Sequence, residues 1–179
     1  MTFLALISRT IQVSLVAMCL TMATSSYALK EDRKQPIKLD ADQAKMDDTS
    51  QEYVLIGNVK IVKGSLVVSG DKAVVIVDPE GYQQITVVAK PGELADFSQR
   101  MDGPYNETVE GRGEFIFYDG KAETLLIKGQ ASAIKRVGIN WRDKLDANEI
   151  FYELATEKFR ATSSNAQTPV RSIIAPKRQ

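Results

Sequence analysis

The stretch YVLIGNVKIVKG, Tyr53 to Gly64, reads as one β-strand with a fault in its middle. Apolar and polar residues alternate along it, the period of a strand with one buried face. Gly57-Asn58 breaks the alternation with two residues that are poor in strands and good in turns. The break recurs. Gly57 lies fifteen residues after Asp42, and Gly129 lies fifteen residues after Glu114. The flanks agree in kind, Leu55-Ile56-Gly57-Asn58-Val59 paralleling Ile127-Lys128-Gly129-Gln130-Ala131.

A second piece repeats beside the first. A small residue, then an acid or amide, precedes an alternating apolar run at Ala41-Asp42, Gly70-Asp71, Gly113-Glu114 and Ala147-Asn148. The spacing implies a unit of roughly 30–40 residues, within the range of stacked repeats. Each unit is expected to be a pair of strands that turns a corner, with Gly-Asn or Gly-Gln as a bend or bulge at one edge and Ala/Gly-Asp at the other.

Working outward, short runs rich in β-branched and aromatic residues fill the chain from Ile37 to Ala175, including Leu66-Val67-Val68, Ile85 to Val88, Phe115 to Tyr118 and Ile150-Phe151-Tyr152. Turn signals bound them. Asp78-Pro79-Glu80-Gly81 fits a type I turn, Asp119-Gly120 a two-residue hairpin, and Lys63-Gly64-Ser65 and Glu157-Lys158 weaker turns. Gly92 to Tyr105 reads as a long loop, and Val170 to Ala175 as a final strand within a polar tail, 165–179. Arg142 to Leu154 lacks a clean 3.6 period and is not read as a helix. The pattern is all-β, a sandwich, roll or barrel of many short antiparallel strands.

The first 28 of the 179 residues have a different character. Arg9 is their only charge, an apolar run spans Ile11 to Ala23, and Ser26-Tyr27-Ala28 supplies small residues for a cleavage site. Residues 1–28 are expected to be a signal peptide removed on export, and residues 29–179 a single domain. A retained N-terminal anchor is the alternative, although the run is short of the ~20 apolar residues a membrane span needs. Cys19 follows Met18 and sits inside the apolar run, which argues against lipidation.

Beyond residue 28 there is neither cysteine nor histidine, so disulfides, histidine triads, thiol catalysis and ordinary zinc sites are excluded there. The chain has 23 Lys+Arg and 23 Asp+Glu, with no basic block that would suit nucleic acid. Ser69-Gly70-Asp71-Lys72 and Ser163-Ser164-Asn165 match fragments of a penicillin-binding pattern, but the Lys-Thr-Gly strand is absent and Ser69 lies at a strand corner. Asp40, Asp42, Asp47 and Asp48 lack the order of a calcium loop and read as a solvated turn. Trp141 suits a core or rim position. No catalytic residue, metal site or cofactor is expected.

In the strand register, Ile37, Leu39, Val59, Ile61, Leu66, Val68, Val75, Val77, Ile116, Tyr118, Leu125, Ile127, Ile150, Tyr152 and Leu154 share one face. Lys60, Lys72, Asp78, Lys128 and Glu149 fall opposite or at corners. Taken by itself, this face is what any closed sandwich buries.

The run GNVKIVKGSLVVSGDKAVVIV, the segment AKPGELADF and the closing ANEIFYELATEKFRAT resemble the LptA/OstA family of periplasmic lipopolysaccharide-transport proteins, over about Gln35 to Pro176. The resemblance implies an open β-jellyroll, a rolled two-sheet sandwich. It implies that the shared apolar face is a groove shielding the acyl chains of lipid A. It further implies a non-enzymatic carrier that bridges LptC-like inner-membrane and LptD-like outer-membrane partners, with head-to-tail self-association through edge strands. Two other readings stand beside it: a membrane-anchored LptC-like component that keeps its N-terminal helix, and a periplasmic enzyme working through carboxylates. The longer interval from Gly129 to Asn148, against Gly57 to Asp71, implies an insertion near Val137 to Lys144.

Overall fold

The computed structural model describes residue 32 and residues 34–102, 106–163 and 169–176; the expected signal peptide lies outside these. The described chain forms twelve antiparallel strands: β1 (Ile37–Asp40), β2 (Gln43–Asp47), β3 (Glu52–Lys63), β4 (Leu66–Val77), β5 (Gln83–Val88), β6 (Ala95–Arg100), β7 (Glu107–Gly113), β8 (Phe115–Asp119), β9 (Thr124–Val137), β10 (Asn140–Glu153), β11 (Lys158–Thr162) and β12 (Arg171–Ile174).

Four of these strands, β3, β4, β9 and β10, are 12–14 residues long and serve two sheets each. One half of each pairs in the order β1-β3-β4-β6-β7-β9-β10-β12, the other in the order β2-β3-β4-β5-β8-β9-β10-β11. The hydrogen-bonded network is continuous, folded along one line into two facing sheets.

The fold line runs through the repeated corners. In β3, Gly57 and Asn58 oppose only Asp71 of β4, and the register shifts between Ile56 and Val59. In β9, Gly129 and Gln130 oppose only Asn148 of β10. All four bulge residues are left-handed: Gly57 φ 79°, Asn58 46°, Gly129 71°, Gln130 48°. Two residues against one is a bulge, and a bulge bends and twists its strand. Asp42 and Glu114 complete the corners as the joints between β1 and β2 and between β7 and β8.

Alternation then carries apolar side chains into the space between the sheets. One cross-strand row runs Leu55, Ala73, Val87, Ile116, Ile127, Ile150 and Ala161. A parallel row in the same sheet runs Tyr53, Val75, Ile85, Tyr118, Leu125, Tyr152 and Phe159. The facing sheet supplies Leu39, Ile61, Val68, Phe97, Gly111, Ala133 and Leu145. Phe97 reaches across to Tyr152, ring centroids 6.5 Å apart. These rows form one contiguous core.

Two local expectations need correction. The expected loop from Gly92 to Tyr105 contains a strand, because Ala95, Phe97 and Gln99 alternate inward as β6; the turn residues Pro91-Gly92 obscured that short period, and 103–105 lie outside the described residues. The extra residues expected near Val137 to Lys144 lengthen the β9–β10 hairpin, which ends in the tight turn Gly138-Ile139, and do not form a loop. Asp119-Gly120 opens a four-residue turn, 120–123, in which Asp119 Oδ1 accepts from the N–H of Lys121 and Ala122, both at 2.9 Å. The Asp78 turn is as expected, with Gly81 N–H donating to the Asp78 carbonyl at 2.9 Å.

Candidate functional site: the slot between the sheets

Along the fold line the corners close the space between the sheets. Along the opposite side the strand ends of the two sheets approach each other and form a seam. Lys63, at the end of β3, crosses the seam and donates to Gln83 Oε1 of β5 at 2.7 Å. Farther along, the Asp102 N–H donates to the Glu157 carboxylate across the same gap. Burial raises the Glu157 carboxyl above its ordinary range, opposed by Lys135 and reinforced by Glu107 and Asp102. Lys135 is itself paired with Glu107 at 2.6 Å.

Of the fifteen residues on the expected face, twelve are buried and Ile37, Leu39 and Val77 are partly buried towards the ends of the slot. The alternation missed Leu55, Ala73, Ile85, Val87, Phe97, Val109, Met101, Ala133, Leu145 and Phe159, which share the interior. Several lie in runs whose period was visible. Phe97 and Met101 were obscured by the loop reading, and Ala73 and Ala133 are too small to signal a face.

The middle of the slot is filled by these side chains, which are close-packed between the sheets. Open volume lies at the β10–β12 end. There a cavity of about 340 Å³ is walled by Met101, Ala133, Leu145, Phe159 and Ile174, with Lys135, Lys144 and Glu157 at its rim. That volume falls in the range of small-molecule sites. Phe159 stacks on Tyr152 at 4.3 Å, so the cavity wall continues directly into the core.

Among the described residues, both ends of the folded sheet are edges. Among the described pairings, β1 and β2 pair only with β3, and β11 and β12 pair only with β10. Each end therefore offers backbone N–H and C=O groups to another strand. The ends differ in charge. Residues 37–48 carry Lys38 and Lys45 against Asp40, Asp42, Asp47 and Asp48, whereas β11 and β12 carry Lys158, Arg160 and Arg171 with no acid.

Ser69 pairs with Lys60 and Asp96 in mid-sheet, not at a helix start. Asp47 is an exposed turn acid, its pKa lowered by the N–H groups of Ser50 and Thr49. Trp141 is an exposed rim residue beside the β9–β10 hairpin. Among the described residues no cluster of three metal-ligating side chains occurs.

Residues 38–158 match the family described as LptA/(LptD N-terminal domain) LPS transport protein. The chain is similar to the lipopolysaccharide export system protein LptA of Haemophilus influenzae, 25% identical over 86% of this chain and 85% of that one. It is also similar to LptA of Escherichia coli, 26% identical over 90% and 83%, and to the export protein LptH of Pseudomonas aeruginosa, 26% identical over 88% and 89%. In three dimensions it resembles the crystal structure of LptH, the LptA-homologous periplasmic component of the lipopolysaccharide transport device of P. aeruginosa. The TM-score is 0.70 at 23% identity, covering 81% of this chain and 99% of that one.

Proposed function

This chain belongs to the LptA/LptD N-terminal domain family, and from that membership we propose that it is a non-enzymatic periplasmic carrier of lipopolysaccharide. Residues 1–28 direct export and are removed, and residues 29–179 act as one domain. The slot takes acyl chains between its sheets along the inward residues Ile37, Leu39, Val59, Ile61, Leu66, Val68, Val75, Val77, Ile116, Tyr118, Leu125, Ile127, Ile150, Tyr152 and Leu154. The observation that carries this reading is the continuous apolar wall from the core rows to the open cavity at Leu145 and Phe159. Chains enter at that cavity and part the packed side chains, which costs the slot its own contacts and returns apolar burial at about 25 cal/mol per Å².

The two ends join copies head to tail, and join the carrier to LptC-like and LptD-like partners. Unpaired edges supply strand addition, and the acidic first end complements the basic last one. A bridge built this way needs no nucleotide; the energy for directional movement comes from its partners.

The test is co-elution of the purified protein with lipopolysaccharide on size exclusion, beside Leu145→Glu, a substitution at the partly exposed cavity wall whose folding is checked by circular dichroism. Binding by the wild type and its loss in the variant is expected. Absence of binding by well-folded wild type would sink the carrier reading.

A further inference from the structure

The interior is not uniformly apolar. Among the described residues, two polar side chains are buried in it: Lys63, 7% exposed, and Gln99, 3% exposed. Gln99 Oε1 has no hydrogen-bond partner among the described residues. Buried acceptors are nearly always paired, so an orphan calls for an explanation. The two side chains line a small cavity of about 30 Å³ on the seam, with Leu66 and Leu154 as its apolar walls. That is room for a group of one or two heavy atoms.

Charge narrows the kind of group. Two carboxylates, Asp32 and Glu123, also line the cavity, against the single Lys63 ammonium. The site is net negative and repels a phosphate or a free carboxylate. It accepts a neutral group that donates one hydrogen bond and accepts another. A lysine ammonium carries three donors, and Gln83 takes one of them. Position narrows it further. The cavity sits at the seam, where the apolar slot begins, and Leu66 opposes Lys63 one hairpin turn before the buried pair Ile61 and Val68. A ligand here has its polar atoms at the mouth and its methylenes inside.

We infer that Gln99 and Lys63 form a polar station that selects hydroxylated acyl esters or amides. The chain hydroxyl donates to Gln99 Oε1, and the Lys63 ammonium donates to the carbonyl at the head of the same chain. The station rests on the carrier reading and adds to it a preference among acyl chains that an apolar slot alone cannot provide.

Displacement of a fluorescent acyl probe from the purified protein tests this with two neutral ligands, methyl 3-hydroxytetradecanoate and methyl tetradecanoate. The wild type is expected to hold the hydroxylated ester about 5- to 10-fold more tightly, the factor of one satisfied hydrogen bond. Gln99→Leu keeps the volume and apolar packing, and is expected to bind both esters equally, at the wild-type affinity for the plain one. Equal binding of the two esters by wild type would overturn the station, with a trapped water as the partner of Gln99, and leave the carrier reading standing. A preference that survives Gln99→Leu would overturn the assignment to Gln99. Failure to bind either ester would overturn the carrier reading and the station with it.

Discussion

The Asn58 side-chain amide donates to the Asp42 carboxylate at 2.9 Å, and the Asp42 N–H donates back to the Gly57 carbonyl, also at 2.9 Å. The same clasp occurs again in the second half of the chain. Gln130 Nε2 donates to Glu114 Oε1 at 3.0 Å and Glu114 N–H to the Gly129 carbonyl at 3.0 Å. Where Asn is exchanged for Gln, Asp is exchanged for Glu, so both partners gain one methylene and the pairing is kept. The fifteen-residue interval in the sequence is the length of chain between the two sides of each clasp.

The clasps predict a graded response at the corner. Gly57→Ala forces a side chain into the left-handed region and against the Asp42 carboxylate, and is expected to cost roughly 2–4 kcal/mol. Asn58→Ala loses one exposed hydrogen bond and the tolerance of asparagine for its φ of 46°, at about 1–2 kcal/mol. Urea denaturation of the two variants measures the order; equal stability of both with wild type would remove the clasp as a determinant of the fold.

Gly111 has another role. It opposes Phe97 on the inner face, and a Cβ there would meet the Phe97 ring and lie 2.9 Å from Ile127 Cδ1. The missing side chain is what lets the Phe97 ring lie across the sheet towards Tyr152. Gly111→Ala is expected to destabilise by about 1–3 kcal/mol through overpacking. Gly111→Ala combined with Phe97→Leu is expected to recover part of that loss, read by thermal denaturation as a non-additive pair.

Glu157 makes stability depend on pH. Its folded pKa is raised, so the folded state holds this proton more tightly than the unfolded chain. Its contribution is most favourable below the ordinary glutamate value and is lost as pH rises through the raised folded value. Glu157→Gln keeps the bond from Asp102 and removes the charge. The variant is expected to be more stable than wild type at pH 7, with the difference shrinking as pH falls towards 4.5. A difference independent of pH would show that the carboxyl is not burdened by burial.

The ends of the sheet give a charge-swap experiment. Lys158→Glu with Arg171→Glu makes the last edge acidic against an acidic first edge, and is expected to weaken self-association about 5- to 10-fold. Adding Asp40→Lys and Asp47→Lys restores complementarity with the poles exchanged, and association is expected to return. Sedimentation velocity over a concentration series reads both. Unchanged association in the first variant would place the contact elsewhere.

Most of the fold is legible in the amino-acid sequence, for a local reason. Period-2 alternation and the left-handed pair Gly-Asn or Gly-Gln are properties of adjacent residues, so strands, corners and the inward face from Val59 to Leu154 can be read along the chain. Phe97 escapes because a strand of six residues beside Pro91-Gly92 carries too few alternations to outweigh its turn signals. What only the tertiary structure decided are relationships across the fold line. Lys63 and Gln83, Phe97 and Tyr152, and Asp102 and Glu157 each join one sheet to the other. Burial of Gln99 likewise depends on the facing sheet, not on its neighbours in sequence. Alternation assigns a side chain to a face of its own sheet; the distance between two sheets, and hence what is filled, what is open and which polar atom is left without a partner, is set by packing side chains from strands far apart in the chain.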